Sequence, residues 1–439
     1  MMKERGKHVW VIGGGGREHA LVWRLSQSPK VARLTAVPGS LAMAPTLRKE
    51  VAFACLPANL SGGRAEFERL ARLAIEQKVD LVVVGPDNPL ADGIVDIFST
   101  RGLTCFGPSA AAARLESSKA FAKEVMSAAK VPTARFAAFE SVPEAKAFLR
   151  NEPWGAGWVV KADGLALGKG VVVPENLEEA FAAIERLLPL SGSLLVEERL
   201  HGEELSWLAL CDGERAVLFD PARDHKRLLD GDQGPNTGGM GVICPVPGVS
   251  ADFEARVASE VFAPVMAEMK RRGTPFRGVL YAGLMWNRKT NQYWVLEFNA
   301  RFGDPETQAL LPRMEGDLFE WCLACAEGRL KSMPTRVPFR EGMAVVVVLA
   351  AEGYPESPRK GDVISGLESW LVDAGQPAVF ASGVSRVGDS WMTHGGRVLG
   401  VLGYGLDVEA ARRQAYERVE QIRFAGQQFR RDIGQENPS

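Results

Sequence analysis

Gly278-Val-Leu-Tyr-Ala-Gly-Leu-Met-Trp286 and Tyr293-Trp-Val-Leu-Glu-Phe-Asn299, joined by the turn-forming Asn287 to Gln292, are the stretch on which the fold depends. Each reads as a strand. Period-2 alternation on the second puts Trp294, Leu296 and Phe298 on one face and Val295, Glu297 and Asn299 on the other. Two oxygen-donating side chains then project side by side at a strand end. Arg301 follows at once, and after Gly303 the run Asp304-Pro305-Glu306 reads as a helix start, with Asp304 capping and Pro305 in the first turn. A carboxylate, an amide oxygen and a guanidinium beside a helix start suit a hard cation carrying phosphate oxygens. A hairpin whose polar face simply meets water explains the spacing equally well, so the other stretches must decide.

At 439 residues the chain is too long for one ordinary core, and two to four domains are expected. Hydrophobic content of 46% and charged content of 24% describe a soluble, packed protein, and a formal net charge of -2 gives no electrostatic case for a nucleic-acid partner. The N-terminus is polar and runs straight into a strand. No secretory or membrane-length apolar run appears, so a cytoplasmic protein without membrane contact is expected. Cys322 and Cys325 are the only close cysteine pair. They lie on an expected helix from Asp317 to Ala326, with no second pair to complete a zinc site, and read as small core residues.

His8 to Ile12 is a short apolar strand, followed by Gly13-Gly-Gly-Gly-Arg-Glu-His19 and a helix to about Gln27. Strand, glycine loop and helix in that order make an anion site from backbone N–H groups and the helix terminus. A dinucleotide fold fits poorly: Glu18 occupies the third glycine position, and Pro38-Gly39-Ser40 stands where an acidic residue would hold a ribose diol. A phosphate-bearing substrate at Gly15, Gly16, Arg17 and Glu18 remains open, as does a plain tight turn. Phe67, Leu70, Ala71, Ala74 and Ile75 form a helical face. The strand Asp80 to Val84 then delivers a second loop, Gly85 to Leu90, whose Asp87 could meet a hydroxyl-rich ligand or cap a turn. Short buried strands alternating with helices imply a parallel sheet that binds ligands beyond its carboxyl ends. A boundary is expected near Glu116.

Lys119 stands near a helix start, a place for a cation only if an anion lies nearby. Gly157-Trp-Val-Val-Lys161 is a strand ending in lysine, followed by the glycine-rich hairpin Ala162 to Gly170, which can fold over phosphates. It is not a P-loop, because Gly164 and Gly168 are one residue too close and Gly170 follows Lys169 where Ser or Thr should. Ser193 to Glu197 reads as another strand. Glu197 and Glu198 at its end can present backbone groups and a carboxylate to a purine edge, and Glu204 could take ribose hydroxyls. Asp224-His-Lys226-Arg227 concentrates cations with one carboxylate, and Gly234-Pro-Asn-Thr-Gly-Gly-Met-Gly241 can turn its N–H groups inward. A helix from about Asp252 to Arg271 buries Val257, Val261, Val265 and Met269.

The order of lysine, glycine-rich hairpin, Glu-Glu at a strand end and Glu-Phe-Asn resembles the ATP-grasp superfamily. Within it, residues 15–21, 161–166, 224–227, 234–241 and 301–306 resemble the phosphoribosylamine-glycine ligases, and the match runs essentially end to end. The resemblance implies an α/β multidomain chain: a Rossmann-like parallel-sheet domain (1–116), an ATP-grasp core of two α+β subdomains (117–330) with 131–198 as ATP lid, and a small mixed α/β domain (331–439). In the last, Met343 to Ala350 reads as an apolar strand, and Asp407 caps a helix with Ala411, Ala415 and Val419 inward.

The resemblance also implies roles. ATP phosphates fall to Lys119 and Lys161, with Leu165, Gly168, Lys169 and Gly170 as their cover. Adenine falls to Glu197, Glu198 and Leu200, ribose to Glu204, and Mg2+ (or Mn2+) to Glu297 and Asn299. Glycine falls to Asp224 and Arg301, which with Lys161 and Lys226 form the catalytic set. Phosphoribosylamine falls to Gly15 to Glu18 and Asp87, and Asn236, Gly238, Gly239, Met240 and Gly303 complete the substrate surface. A monomer, or at most a weak dimer, is expected. The chain departs from the family's pattern at 39–42, 87–88, 188–193, 222–223 and 380–383, at the substrate periphery and the lid. An ATP-grasp ligase for another carboxylate and amine would keep the ATP residues but need not keep Asp224 to Arg227 with Asn236 to Gly241, and a non-catalytic nucleotide-binding protein would have no reason to retain both Glu297-Asn299 and Arg301.

Overall fold

The computed structural model describes residues 6–151, 154–155, 157–165, 170–371 and 377–435. The first region is a five-stranded sheet in the order Ala52–Cys55, Val31–Pro38, Lys7–Gly13, Leu81–Val84, Cys105–Phe106, and every pairing in it is parallel. Its strands are short and apolar, and helices cover them, as such a sheet requires. The helix Gly63–Glu76 buries Phe67, Leu70, Ala71 and Ala74, but the fifth residue expected on that face, Ile75, is 47% exposed. A position directly after Ala74 lies about a third of a turn off the stripe. The expected loop Gly85 to Leu90 is also shorter than its reading, because a helix, Asp87–Ala91, begins within it.

The helices Ala110–Ser117 and Lys119–Ala128 lead into an antiparallel four-stranded sheet, ordered Phe136–Phe139, Leu194–Glu198, Trp158–Ala162, Val171–Val172. The helices Val142–Asn151 and Leu177–Ser191 pack on it. Together they bury a hydrophobic cluster of their own, including Leu149, Val160, Ile184, Leu187 and Val196. A unit with its own core can turn against its neighbour without exposing apolar surface.

The central sheet is antiparallel, in the order Ala216–Leu218, Glu203–Asp212, Arg277–Asn287, Gln292–Asn299. The last two strands are the hairpin read from the sequence, with one correction. The register shifts between Gly283 and Leu284, which face Glu297 and Val295 and leave Leu296 as an extra residue. This bulge resets the alternation. Tyr293 and Val295 go into the core with Phe298, while Leu296, Glu297 and Asn299 are only partly buried. The expected pairing of Val295 with Glu297 and Asn299 on one face is therefore wrong. Asp304 does not cap the next helix either: Glu306–Arg313 has no side-chain cap, and Asp304 instead pairs with Arg397 and accepts from Gln308.

Ala251–Val257 and Ala263–Arg271 form one helical rod with a π-turn at Ala258–Phe262, and it buries Val257, Val261, Val265 and Met269. The fourth large sheet crosses the expected boundary at 331. Its order is Arg223–Asp224, Gly241–Cys244, Met343–Ala350, Arg397–Gly405, Val379–Ala381, so two of its strands come from the middle of the chain. The helix Val408–Val419, capped by Asp407 at Ala410 N (2.8 Å), covers it with Ala411, Ala415 and Val419 inward. Cys322 and Cys325 are buried free thiols on Leu318–Ala326. Among the described residues, no helix is long and apolar enough to cross a membrane.

Candidate active site

Lys161 is the fourth residue of the strand Trp158–Ala162, where the four-stranded unit meets the central hairpin. Its ammonium lies 3.3 Å from the Leu296 carbonyl, at the bulge, and 3.0 Å from Glu197 Oε1. Lys161 and Glu297 both lie within electrostatic range of Lys119 and of Glu204. Lys119 joins them. Its Nζ donates to Gly164 O (2.8 Å), and it lies within electrostatic range of Glu297, Lys161 and Glu197. Burial pulls the Lys119 ammonium below its ordinary range while Glu297 pushes it back up.

Asp163, to which the sequence reading gave no role, makes this corner rigid. Its Oδ1 accepts from the backbone N–H of Lys119 (2.5 Å) and Ala120 (3.3 Å), so the base of the glycine-rich hairpin is bound to a helix N-terminus. Leu165 opens the hairpin and Gly170 closes it, with Ala162 N donating to Gly170 O (2.7 Å). Gly168 and Lys169 lie outside the described residues.

Glu197 and Glu198 part company, as successive strand residues must. Glu197 is buried and lies between Lys161 and Lys123. Burial would raise its carboxyl, but the two ammonium groups hold it below the usual range. Glu198 turns its carboxylate the other way, to a two-pronged contact with Arg135 (2.9 Å each). Leu200 lies in the connection that follows.

Beyond the bulge a small cavity is lined by Glu204, Ser206, Asp224, Lys226, Tyr281 and Glu297, among others. Asp224 is held by the two-residue strand that pairs with Gly241–Cys244, and Lys226 donates to its Oδ2 (2.9 Å). Its Oδ1 is buried without a partner. Burial and the nearby Glu306 carboxylate raise the Asp224 carboxyl to about 6, against the pull of Lys226. Gly239 closes over it at φ +110, and a Cβ there would lie 2.5 Å from Asp224 Oδ1 and 2.7 Å from Pro305 Cδ. Only glycine fits that position. Behind Asp224, Glu306 Oε1 accepts from both Ser206 Oγ and Tyr281 Oη at 2.8 Å. Neither Tyr281 nor Glu306 carried a local signal, because the residues that meet them are distant in sequence.

Arg301 stands on the other side of Asn299. It pairs with Glu116 Oε1 (2.8 Å), lies 3.9 Å from Asp87, and donates to Asn299 Oδ1 (3.3 Å) and Phe302 O (3.2 Å). Burial works against its charge, but Glu116 and Asp87 hold it on. The Phe302 carbonyl also accepts from Arg17 (3.3 Å), and Arg17 pairs with Glu18 (2.6 Å). Glu18 bends back to cap its own helix at Gly15 N (2.8 Å) and lies against Gly13 and Gly85, which explains an acid where a dinucleotide loop has glycine. A Cβ on Gly16 would meet Ser382 Oγ, so the third region borders this loop.

Gly238, Gly239 and Met240 continue toward Arg397, whose guanidinium donates to the Gly238 carbonyl and to Asp304 O (2.7 Å). Gly303 lies under Glu306. Asn236 is exposed at the end of an outer hairpin, where it pairs with Arg227 beside Lys226.

No group of three or more His, Cys, Asp or Glu among the described residues could hold a metal by itself. Glu297 and Asn299 offer two hard oxygen donors at one strand end. That set fits a divalent cation whose other ligands are phosphate oxygens and water.

A sheet-and-helix unit with its own core, packed beside a strand end that carries a carboxylate, an amide and a guanidinium, is the architecture of the ATP-grasp enzymes. Residues 7–116, 117–307 and 344–436 match the models of the phosphoribosylglycinamide synthetase N domain, ATP-grasp (A) domain and C domain. A phosphoribosylamine–glycine ligase of Ralstonia nicotianae is 45% identical over 97% of this chain and 98% of its own, and one of Vibrio vulnificus is 42% identical over 97% of each. The crystal structure of the phosphoribosylamine–glycine ligase of Thermotoga maritima superposes with a TM-score of 0.81 at 33% identity, covering 97% of this chain and all of that one. The chain belongs to the phosphoribosylglycinamide synthetase family and is an ATP-dependent ligase. The fold extends further: a biotin carboxylase domain of Hydrogenobacter thermophilus, 18% identical, superposes with a TM-score of 0.71.

Proposed function

We propose that the chain joins glycine to 5-phosphoribosylamine through a glycyl phosphate, giving glycinamide ribonucleotide, ADP and phosphate. The observation that carries this is that Lys119 lies within electrostatic range of both Lys161 and Glu297, while Glu297 lines one small cavity with Asp224, whose Oδ1 is unpartnered. Lys119 and Lys161 hold the ATP phosphates, and Leu165 to Gly170 closes over them with the unit 131–198 as lid. Glu204 takes the ribose, while Glu197, the backbone at Glu198 and Leu200 line the adenine. Glu297 and Asn299 would hold Mg2+, which would supply positive charge toward the phosphoryl oxygens.

Glycine is a zwitterion. Its ammonium suits the orphan Asp224 oxygen, and its carboxylate suits the planar fork of Arg301. So placed, a carboxylate oxygen attacks the terminal phosphoryl group and ADP leaves. The amine of phosphoribosylamine, held by Gly15 to Glu18 and Asp87, then attacks the activated carbonyl and releases phosphate. An acyl phosphate is already an activated donor, so the protein contributes position, charge and exclusion of water, and needs no nucleophilic side chain.

The test is ADP release with glycine and phosphoribosylamine both present, and with each omitted in turn. Turnover only with both is expected. Steady ADP release with another carboxylate or amine, and none with this pair, would overturn the assignment.

A further inference from the structure

Lys123 has no role in the chemistry above, yet it is among the most deeply buried charges in the molecule, at 1% exposure. It stands one helical turn after Lys119 on Lys119–Ala128. Its ammonium donates to Thr133 Oγ1 (2.7 Å) and lies 2.9 Å from Glu197 Oε2, while Lys161 takes Oε1 at 3.0 Å. Thr133 in turn donates to the Val295 carbonyl (2.7 Å), so the cluster joins the helix, the lid sheet and the central hairpin. Glu197 is 2% exposed and Lys161 is 6% exposed.

Buried ion pairs are poor stabilisers, because hydrophobic side chains of similar size do as well without the desolvation cost. A third buried charge beside a pair that already balances raises that cost. Lys123 therefore calls for a reason other than stability. Without it, Lys161 and Glu197 would form a neutral couple, and a neutral couple attracts phosphate poorly. With it, two ammonium groups share one carboxylate and a positive charge is left over; of the other charges nearby, Lys119 and Glu297 are one of each sign and offset one another. That charge can act at Lys161, which lies within electrostatic range of Lys119 and of Glu204. Burial pulls the Lys123 ammonium down to about 8 while Glu197 supports it, so it carries charge at neutral pH.

We propose that Lys123 is a positioning and charge-balancing residue of the nucleotide site: it neutralises Glu197, leaving Lys161 free to act as a full cation toward the ATP phosphates without itself touching the nucleotide. This rests on Lys161 being a phosphate ligand.

The test is equilibrium binding of MgATP and of adenosine to the full chain, with Lys123→Met and Lys123→Arg. Loss of one charge at close range in a partly enclosed site should weaken MgATP about tenfold or more in Lys123→Met. Adenosine, which has no phosphate, should change by less than about threefold. Lys123→Arg keeps the charge and should hold MgATP to within about threefold of wild type.

Equal weakening of adenosine, an unchanged MgATP affinity in Lys123→Met, or a Lys123→Arg variant no better than Lys123→Met would overturn the inference. If Lys123→Met fails to fold, Lys123→Arg decides, since it keeps the charge, and a tenfold loss of MgATP in it would overturn the inference. A wild-type chain that binds no MgATP would sink the nucleotide reading itself, a result distinct from any of these.

Discussion

At the scale of single residues, three side chains carry the sharpest expectations. Glu297→Ala should leave a folded protein whose kcat is lower by about a thousandfold or more at saturating Mg2+, because Asn299 alone would offer the ion only a neutral oxygen. Wild-type turnover in this variant would remove Glu297 from the reaction. Asp224 has its own pH signature. Its carboxyl is raised to about 6, so the ionised form that can accept from an ammonium is lost as the pH falls below that point. The kcat/KM for glycine should then drop by about tenfold per pH unit on the acid side. Asp224→Asn should lower kcat/KM throughout and abolish the inflection; a profile that kept it would assign the titration to another group. Gly239→Ala should be worse than its size suggests, with a left-handed backbone and a methyl group pressed on Asp224. A KM for glycine within about twofold of wild type would show that the loop can move aside.

At the scale of elements, the outer hairpin Arg227–Leu229 and Gln233–Asn236 has little core of its own and is held by the end of the chain. Arg430, buried at 1% exposure, pairs with Asp232 (2.6 Å) and Asp432 (2.7 Å) and donates to Arg227 O (3.2 Å). Gly231 N donates to Asp432 (2.8 Å), and Arg431 N donates to Asp230 (2.7 Å). Replacing Arg430 by Met leaves these carboxylates without their cation. Hydrogen exchange over 227–236 should then accelerate by about tenfold or more, while the strand Met343–Ala350 stays protected. Unchanged exchange in the hairpin would mean that its own ladder suffices. The bulge at Leu296 belongs to this scale too. One extra residue turns Glu297 away from the core that holds Val295, and no period-2 reading of the strand could foresee it.

Across the whole molecule, His19 joins regions far apart in sequence. Its Nδ1 accepts from Ala381 N (2.9 Å), its Nε2 meets Thr46 Oγ1 (2.9 Å), and its ring packs edge-on against Phe380 at 5.5 Å. An accepting Nδ1 requires the neutral ring, and burial holds the imidazole down to about 3. The unfolded chain binds the proton first. The contribution of His19 to stability is therefore complete above its ordinary value of 6.5 and is lost as the pH falls toward 3. Thermal melting temperatures should decline through this window, and less steeply in His19→Leu, which has no proton to gain. Parallel declines in the two proteins would exclude His19 as the acid-labile contact.

What the sequence determined by itself was the local grammar: where strands and helices run, the glycine loops, and the lysine and acidic positions whose order pointed to a nucleotide-dependent ligase. Strand and helix periods, caps such as Asp407, and turn residues act over a few residues, so they are legible in a linear text. The tertiary structure alone decided which groups meet. Glu197 lies between Lys123 and Lys161, Glu116 holds Arg301, Tyr281 and Ser206 share Glu306, and one sheet is built across the expected boundary at 331. Those pairings depend on chain closure over tens to hundreds of residues and on burial that strengthens each charge. Neither leaves a mark on the immediate sequence neighbours.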